Sequence, residues 1–372
     1  MARPKDNRNP VRKIKTSNII YPVIIGLGVV GYLFYKEFDP AVFASVVFSW
    51  KTLLWCLIAF LCIFGRDAGY MIRIRVLSGN ELSWKQAFRV IMLWEFTSAI
   101  TPSAVGGTSV AIVYVHKEGI SVGRSSAIVM LTSFLDELYF IAMFPLLVGV
   151  VGRDALFDLD AGGEGILRIG LLSVALIGYA IKLVWVILLS YGLFFNPRGL
   201  KWLLLKVFKL PLLRRWYRSM NHVGTDIINS SKEIKARSGG FWAKAIGATF
   251  LSWSSRYLVA NALIMAFFGY GDQLLLFARQ LVMWIMMLIM PTPGGSGFAE
   301  YIFTHFCGNL VPVPVGMQLA AAALIAVLWR FVTYYPYLIA GAVIFPKWIQ
   351  THFGKSVFPP KNRLRRAKKC AI

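Results

Sequence analysis

Ile100-Thr101-Pro102-Ser103-Ala104-Val105-Gly106-Gly107 and Met290-Pro291-Thr292-Pro293-Gly294-Gly295-Ser296-Gly297 each interrupt an otherwise apolar stretch of membrane length, one in either half of the chain. Neither can continue as regular helix. Inside hydrocarbon, backbone freed from helix is tolerated only where it is buried in protein or lines a polar cavity. Paired breaks in two halves therefore point to a transport site near the bilayer midplane.

The surrounding composition fixes the class. Apolar residues make up 57% of the chain, aromatics 15%, and mean hydropathy is +0.63, values that exclude an ordinary soluble domain. Several runs reach the roughly 20 apolar residues that cross a bilayer as helix. The expected fold is an all-α polytopic membrane protein, located in the plasma or inner membrane. It has about six transmembrane helices and two re-entrant broken hairpins.

A net charge of +23 raises the possibility of nucleic acid, but the basic residues flank apolar runs and read as topology signals instead. They collect in the arm 1–16, the segment 195–240 and the tail 346–372, so both termini and the long loop are expected in the cytoplasm. The loop 152–166, with Asp154, Asp158, Asp160 and Glu164, is expected outside. Between these anchors the first repeat occupies 17–151, with helices at 17–35 and 41–65 and a cytoplasmic turn carrying Arg66, Arg73, Arg75, Lys85 and Arg89. A re-entrant segment at 90–115 and a crossing at 125–151 complete it. The second repeat, 167–345, has crossings at 167–194, 241–268 and 316–345 and a re-entrant segment at 274–310. One hairpin dips from each side, so the repeats run in opposite directions. Within 195–240, Trp202, Leu203 and Phe208 alternate with Lys201, Lys206 and Lys209, the pattern of a helix lying on an anionic leaflet.

Charged residues inside the expected spans mark a polar path. They are Glu95, Asp136, Glu137, Lys182, Arg256, Glu300 and Arg330. Each costs about 2.5–3.5 kcal/mol at a helix centre on insertion scales, which demands pairing or a wet cavity. Arg256 and Arg330 suit a phosphate because guanidinium is permanently charged and binds two oxygens at once. Glu300, Glu95, Asp136 and Glu137 would orient these bases or couple to protons. The glycines of the breaks, Gly106, Gly107, Gly294, Gly295 and Gly297, let backbone approach an anion, and Pro102, Pro291 and Pro293 set the turns. Neither the four cysteines nor the histidines have metal-ligand spacing, so no metal or cofactor is expected.

The second break with its continuation, Pro291-Thr292-Pro293-Gly294-Gly295-Ser296-Gly297-Phe298-Ala299-Glu300, resembles the P-x-P-G-G-x-G-x-x-E motif of the lysylphosphatidylglycerol synthase transmembrane region, a flippase-like family. The likeness runs from the first helix to Phe345 and includes Pro102 with Gly106-Gly107, and Arg330. It implies movement of a phospholipid or lipid-linked molecule between leaflets, with membrane lipids of anionic headgroup as partners. In bifunctional members this region precedes a soluble aminoacyltransferase domain. Here about 27 residues follow Phe345, so the flippase-like half alone is expected and no enzyme activity. The family's Gly-Glu after the first break is Gly106-Gly107 here, and its Glu-Arg pair on the next helix corresponds to Thr132-Ser133, so no acidic role carries over to those positions. The alternatives are a membrane enzyme or a non-transporting scaffold of lipid or glycan-lipid metabolism.

Overall fold

In the computed structural model the described residues are 48–101, 104–157, 165–210, 217, 221, 224–225, 228, 231, 235–289 and 297–357. The expected arm 1–16, the helix 17–35, Pro102, Pro291, Pro293, Gly294, Gly295, most of the acidic loop and the tail from 358 lie outside them. Among the described residues the chain is helical, with no strand: α1 Trp50–Leu77, α2 Trp84–Ile100, α3 Ala104–Lys117, α4 Val122–Val151 and α5 Arg153–Phe157 come first. Then follow α6 Gly165–Ser190, extended by a π turn Tyr191–Phe195, α7 Pro197–Val207, α8 Gly239–Phe267, α9 Gln273–Met286, α10 Phe298–Cys307, α11 Gln318–Thr333 and α12 Tyr335–Val357. Among the described residues four stretches are long and apolar enough to cross a membrane: Trp50–Leu77, Val122–Val151, Gly170–Phe195 and Val315–His352. The 29-residue α8 matches them in length.

The centre of the molecule is the antiparallel pair α1 and α8. Gly65 and Gly69, one turn apart, let the backbones approach: a Cβ on Gly69 would lie 2.7 Å from the Ala248 carbonyl oxygen and 2.9 Å from Ser252 N. Ser252 Oγ donates to the Arg66 carbonyl at 3.0 Å, so a polar group of one helix is satisfied by the backbone of the other. α1 is inside-out in character. Leu53, Leu57, Phe60 and Phe64 are exposed, as suits lipid contact, while Arg66, Gly69 and Arg73 are buried. This corrects the expected turn after Gly65: α1 continues to Leu77, and Arg66 and Arg73 lie within it. Arginine is a good helix former, so a charge ends neither the helix nor, once paired, its burial.

Each break joins two antiparallel limbs. In the first hairpin, Ser83 caps α2 with a capping box to Gln86. At its base Gln86 Nε2 donates to the Glu118 carbonyl at 3.1 Å, and Arg89 donates twice to the Glu118 carboxylate at 2.7 and 2.6 Å. Farther in, the Thr97 and Tyr114 hydroxyls are 2.5 Å apart. Gly106 and Gly107 fall inside α3 rather than in the turn; a Cβ on Gly107 would run into Ser98. The second hairpin is closed at its base by Arg279 of α9, which donates to the Phe306 carbonyl at 2.9 Å and to Asn309 Oδ1 at 2.6 Å. Limbs of 17 and 14 residues in the first hairpin, and of 14 and 10 in the second, fall short of the roughly 20 that a crossing needs.

Helices α11 and α12 serve both hairpins in turn. Gln318, starting α11, donates to the Asn309 carbonyl at the base of the second hairpin at 3.2 Å. Three turns on, Arg330 Nε donates to Glu300 Oε1 at 2.7 Å, beside that hairpin's break. At Tyr334 the helix is interrupted, and the Tyr334 hydroxyl donates to the Ala99 carbonyl, beside the first break, at 3.1 Å. From there α12 descends the first hairpin, with Phe345 against Phe96 and Trp348 Nε1 donating to Glu118 at its base at 3.2 Å. The inner ends of the hairpins thus attach four residues apart on one rod, and their bases lie at its opposite ends. α12 also runs to Val357, well past the expected boundary at Phe345.

Glu300 does two jobs at the second break. Its Oε2 accepts from the amide of Gly297, whose φ of 83° requires glycine, and both oxygens accept from Arg330. The pair is buried, with side chains 2% and 7% exposed. Arg330→Ala would leave a buried carboxylate without its base, so it should cost about 3–5 kcal/mol in stability. Adding Glu300→Gln should recover most of the loss in thermal unfolding of the purified protein. Likewise Gly69→Ala should destabilise by about 1–3 kcal/mol through overpacking. Gly247→Ala, where a Cβ meets nothing within 4 Å, should leave the melting temperature unchanged or raise it.

Candidate functional site

Between α1, α2, α4 and α8 lies a continuous seam of charge and aromatic rings. It starts from the spacing of α1, where Arg66, Tyr70 and Arg73 share one helical face. Arg66 is fully buried, with its guanidinium 4.5 Å from the Tyr337 ring and 5.2 Å from the Tyr70 ring. Its Nη1 lies 3.3 Å from Asp67 Oδ1 and its Nη2 forms a close ion pair with Glu95 Oε2. The Tyr337 hydroxyl donates to Asp67 at 2.9 Å, fixing that carboxylate from α12. Arg73 forms a two-point pair with Asp136 of α4, donates to Thr249 Oγ1 at 3.2 Å and lies 4.9 Å from the Tyr70 ring. Trp253 Nε1 donates to Asp136 Oδ1 at 2.7 Å, so the acid is held from both sides.

Arg256 differs from these. Its Nη2 is 3.5 Å from Glu95 Oε2, the same oxygen that Arg66 holds closely, and Glu95 is the one carboxylate within ion-pair distance of it among the described residues. The guanidinium lies 4.7 Å from the Trp284 ring and 5.2 Å from that of Trp253. It is 13% exposed, against 0% for Arg66 and 3% for Arg73, and Glu95 itself is 22% exposed. A guanidinium carries five donors in a fixed fork. With one long contact to a carboxylate, Arg256 is less fully engaged than Arg73 and Arg330, which acids hold at two points.

The residues singled out in the sequence therefore divide. Glu95 and Arg256 meet, and Asp136 is linked to them through Trp253. Glu137 turns away to α6, where Lys182 donates to it at 2.7 Å and lies 4.3 Å from the Phe140 ring. Glu300 and Arg330 pair with each other at the second hairpin, which makes Arg330 a tie between elements rather than a free anion site. Gly297 begins α10. Arg66, Asp67, Arg73 and Tyr337 belong to the site but were absent from the expected set. The i, i+4, i+7 spacing of Arg66, Tyr70 and Arg73, following an apolar run without a helix breaker, was the signal that could have found the two arginines. Among the described residues, no group of three or more His, Cys, Asp or Glu could hold a metal ion.

The family described as "Lysylphosphatidylglycerol synthase TM region" matches residues 19–341. A "UPF0104 membrane protein" of Archaeoglobus fulgidus is 25% identical over 291 residues, covering 74% of this chain and 80% of that protein. No solved structure matches the chain. A match extending over both hairpins and the helices that hold them shows that the chain belongs to the lysylphosphatidylglycerol synthase transmembrane-region family.

Proposed function

We propose that this protein carries an anionic phospholipid, or the headgroup end of a lipid-linked molecule, between leaflets as a flippase-like transporter rather than an enzyme. The observation that carries the proposal is Arg256: a permanently charged fork in the middle of a membrane-length helix, flanked by two tryptophans and held by one 3.5 Å contact. Such a group is costly at membrane depth, and an incompletely paired one is by default a functional candidate. The headgroup would pass along the seam from one side of α8 to the other while the acyl chains stay in lipid. The two short-limbed hairpins would gate it from opposite sides. The family's description, which names a lipid, supports a lipid substrate.

Support for the orientation comes from α7, where Trp202, Leu203 and Val207 are exposed beside Arg198 and Lys206, the composition of a helix resting on an anionic inner leaflet. We infer that the α7 side is cytoplasmic, together with both termini. In a background free of the four native cysteines, a cysteine at Lys206 should then react with an impermeant maleimide only after cells are opened. One at Val315, 84% exposed near the base of the second hairpin, should react in intact cells. Reaction of both from the same side would overturn the opposed hairpins.

Transport itself is tested in proteoliposomes containing labelled phospholipids. Arg256→Ala should slow headgroup movement at least about tenfold, and Arg256→Lys, which keeps the charge but loses the fork, should fall between. Wild-type protein that moves no lipid in a panel of headgroups would favour the scaffold instead. Equal rates for all three proteins would remove Arg256 from the path.

A further inference from the structure

Glu95 Oε2 stands between two guanidiniums from different helices, close to Arg66 of α1 and 3.5 Å from Arg256 of α8. The two arginines do not need it equally. Arg66 has a second carboxylate in Asp67 at 3.3 Å, itself anchored by the Tyr337 hydroxyl, and stacks near Tyr337 and Tyr70. Arg256 has no second carboxylate among the described residues. A carboxylate offers a guanidinium two oxygens in the manner of a phosphate, so the same fork can receive either. Resting on Arg256 as the anion site, we propose that Glu95 and a lipid phosphate compete for Arg256, and that Glu95 thereby selects phosphodiester headgroups over phosphomonoesters.

The charge balance gives the selectivity. The cluster holds two guanidiniums, Arg66 and Arg256, and two carboxylates, Asp67 and Glu95. The neighbouring acids Asp136 and Glu137 are matched by Arg73 and Lys182. A phosphodiester adds one negative charge to this neutral group. A monoester near pH 8 adds close to two, since its second proton leaves near pH 6. Attraction to the guanidiniums grows in proportion to the ligand's charge but its desolvation cost grows as the square, so in a group whose field Glu95 and Asp67 already cancel the doubly charged headgroup is the less favoured. Glu95 also lies on α2, five residues before the limb ends at Ile100, and the Ala99 carbonyl of that limb accepts from Tyr334. A headgroup that pushes Glu95 off Arg256 therefore acts on the first hairpin directly, through the residue it displaces.

The test is native mass spectrometry of the purified full-length protein at pH 8, titrated separately with phosphatidylglycerol, phosphatidic acid, diacylglycerol and inorganic phosphate. Wild type should retain phosphatidylglycerol over phosphatidic acid and bind diacylglycerol weakly. Glu95→Gln should tighten phosphatidylglycerol by about tenfold, the scale of one removed neighbouring charge, and abolish the preference for the diester. Glu95→Asp, which keeps the charge but withdraws it by one methylene, should shift both in the same direction by less and serves if the glutamine variant does not fold. Unchanged affinities and preference in the Glu95 variants, with Arg256→Ala still weakening phosphatidylglycerol, would overturn the competition alone. Retention unaffected by Arg256→Ala would overturn the anion site beneath it. Tightening of inorganic phosphate without phosphatidylglycerol would make the ligand a free anion and overturn the lipid assignment.

Discussion

The cost of holding a guanidinium inside an apolar helix governs the architecture. Arg66, Arg73 and Arg330 are each in a long apolar segment, and each is tolerated because an acid from another helix reaches it: Glu95 from α2, Asp136 from α4 and Glu300 from α10. Every such pair is also a tie between elements, since removing one partner strands a charge where water cannot solvate it. Packing between helices in lipid gains little from the hydrophobic effect, because lipid tails are as apolar as leucine. Shape and polar pairing must therefore specify the assembly. The close α1–α8 contact at Gly65 and Gly69 supplies the shape, and the ion pairs supply the register.

On that frame the break at Tyr334 has a mechanical meaning. α11 is tied to the second hairpin through Arg330, and the residue after α11 is tied to the first through its hydroxyl. A straight helix would carry any tilt of one hairpin to the other as a rigid bar. An interruption at the second attachment point lets each half follow its own hairpin, while the short separation keeps their inner ends adjacent.

Most of the fold could be read from the sequence because its strongest signals are local. Basic clusters bound the apolar runs, and α2 ends at Ile100, next to the first Pro-Gly stretch of the sequence. The boundaries of α4 and α8 fall within a few residues of expectation. The misplaced end of α1 has a physical cause: hydropathy treats Arg66 and Arg73 as exits from the membrane, and their pairing with Glu95 and Asp136 depends on residues 29 and 63 positions away. The site was legible to the same extent. Glu95, Arg256 and Asp136 stand out as charges inside spans, but that Arg330 is engaged by Glu300 while Arg256 is not depends on the side chains each one faces.

That difference separates what stabilises the protein from what can act. A carboxylate that grips an arginine at two points leaves it little capacity for a passing anion, so the best-formed ion pairs are the poorest candidates for transport. Arg256 is the reverse case, held at one point by an oxygen that Arg66 holds more closely. Its two tryptophans offer the cation ring faces without occupying its hydrogen-bond donors, which keeps it tolerable at depth and still able to bind. A deeper acid pair would make the helix safer in lipid and the site inert, whereas no acid at all would leave the charge unsupported. The shared Glu95 lies between those extremes, and because it sits on α2 the charge of α8 is balanced from a limb of the first hairpin.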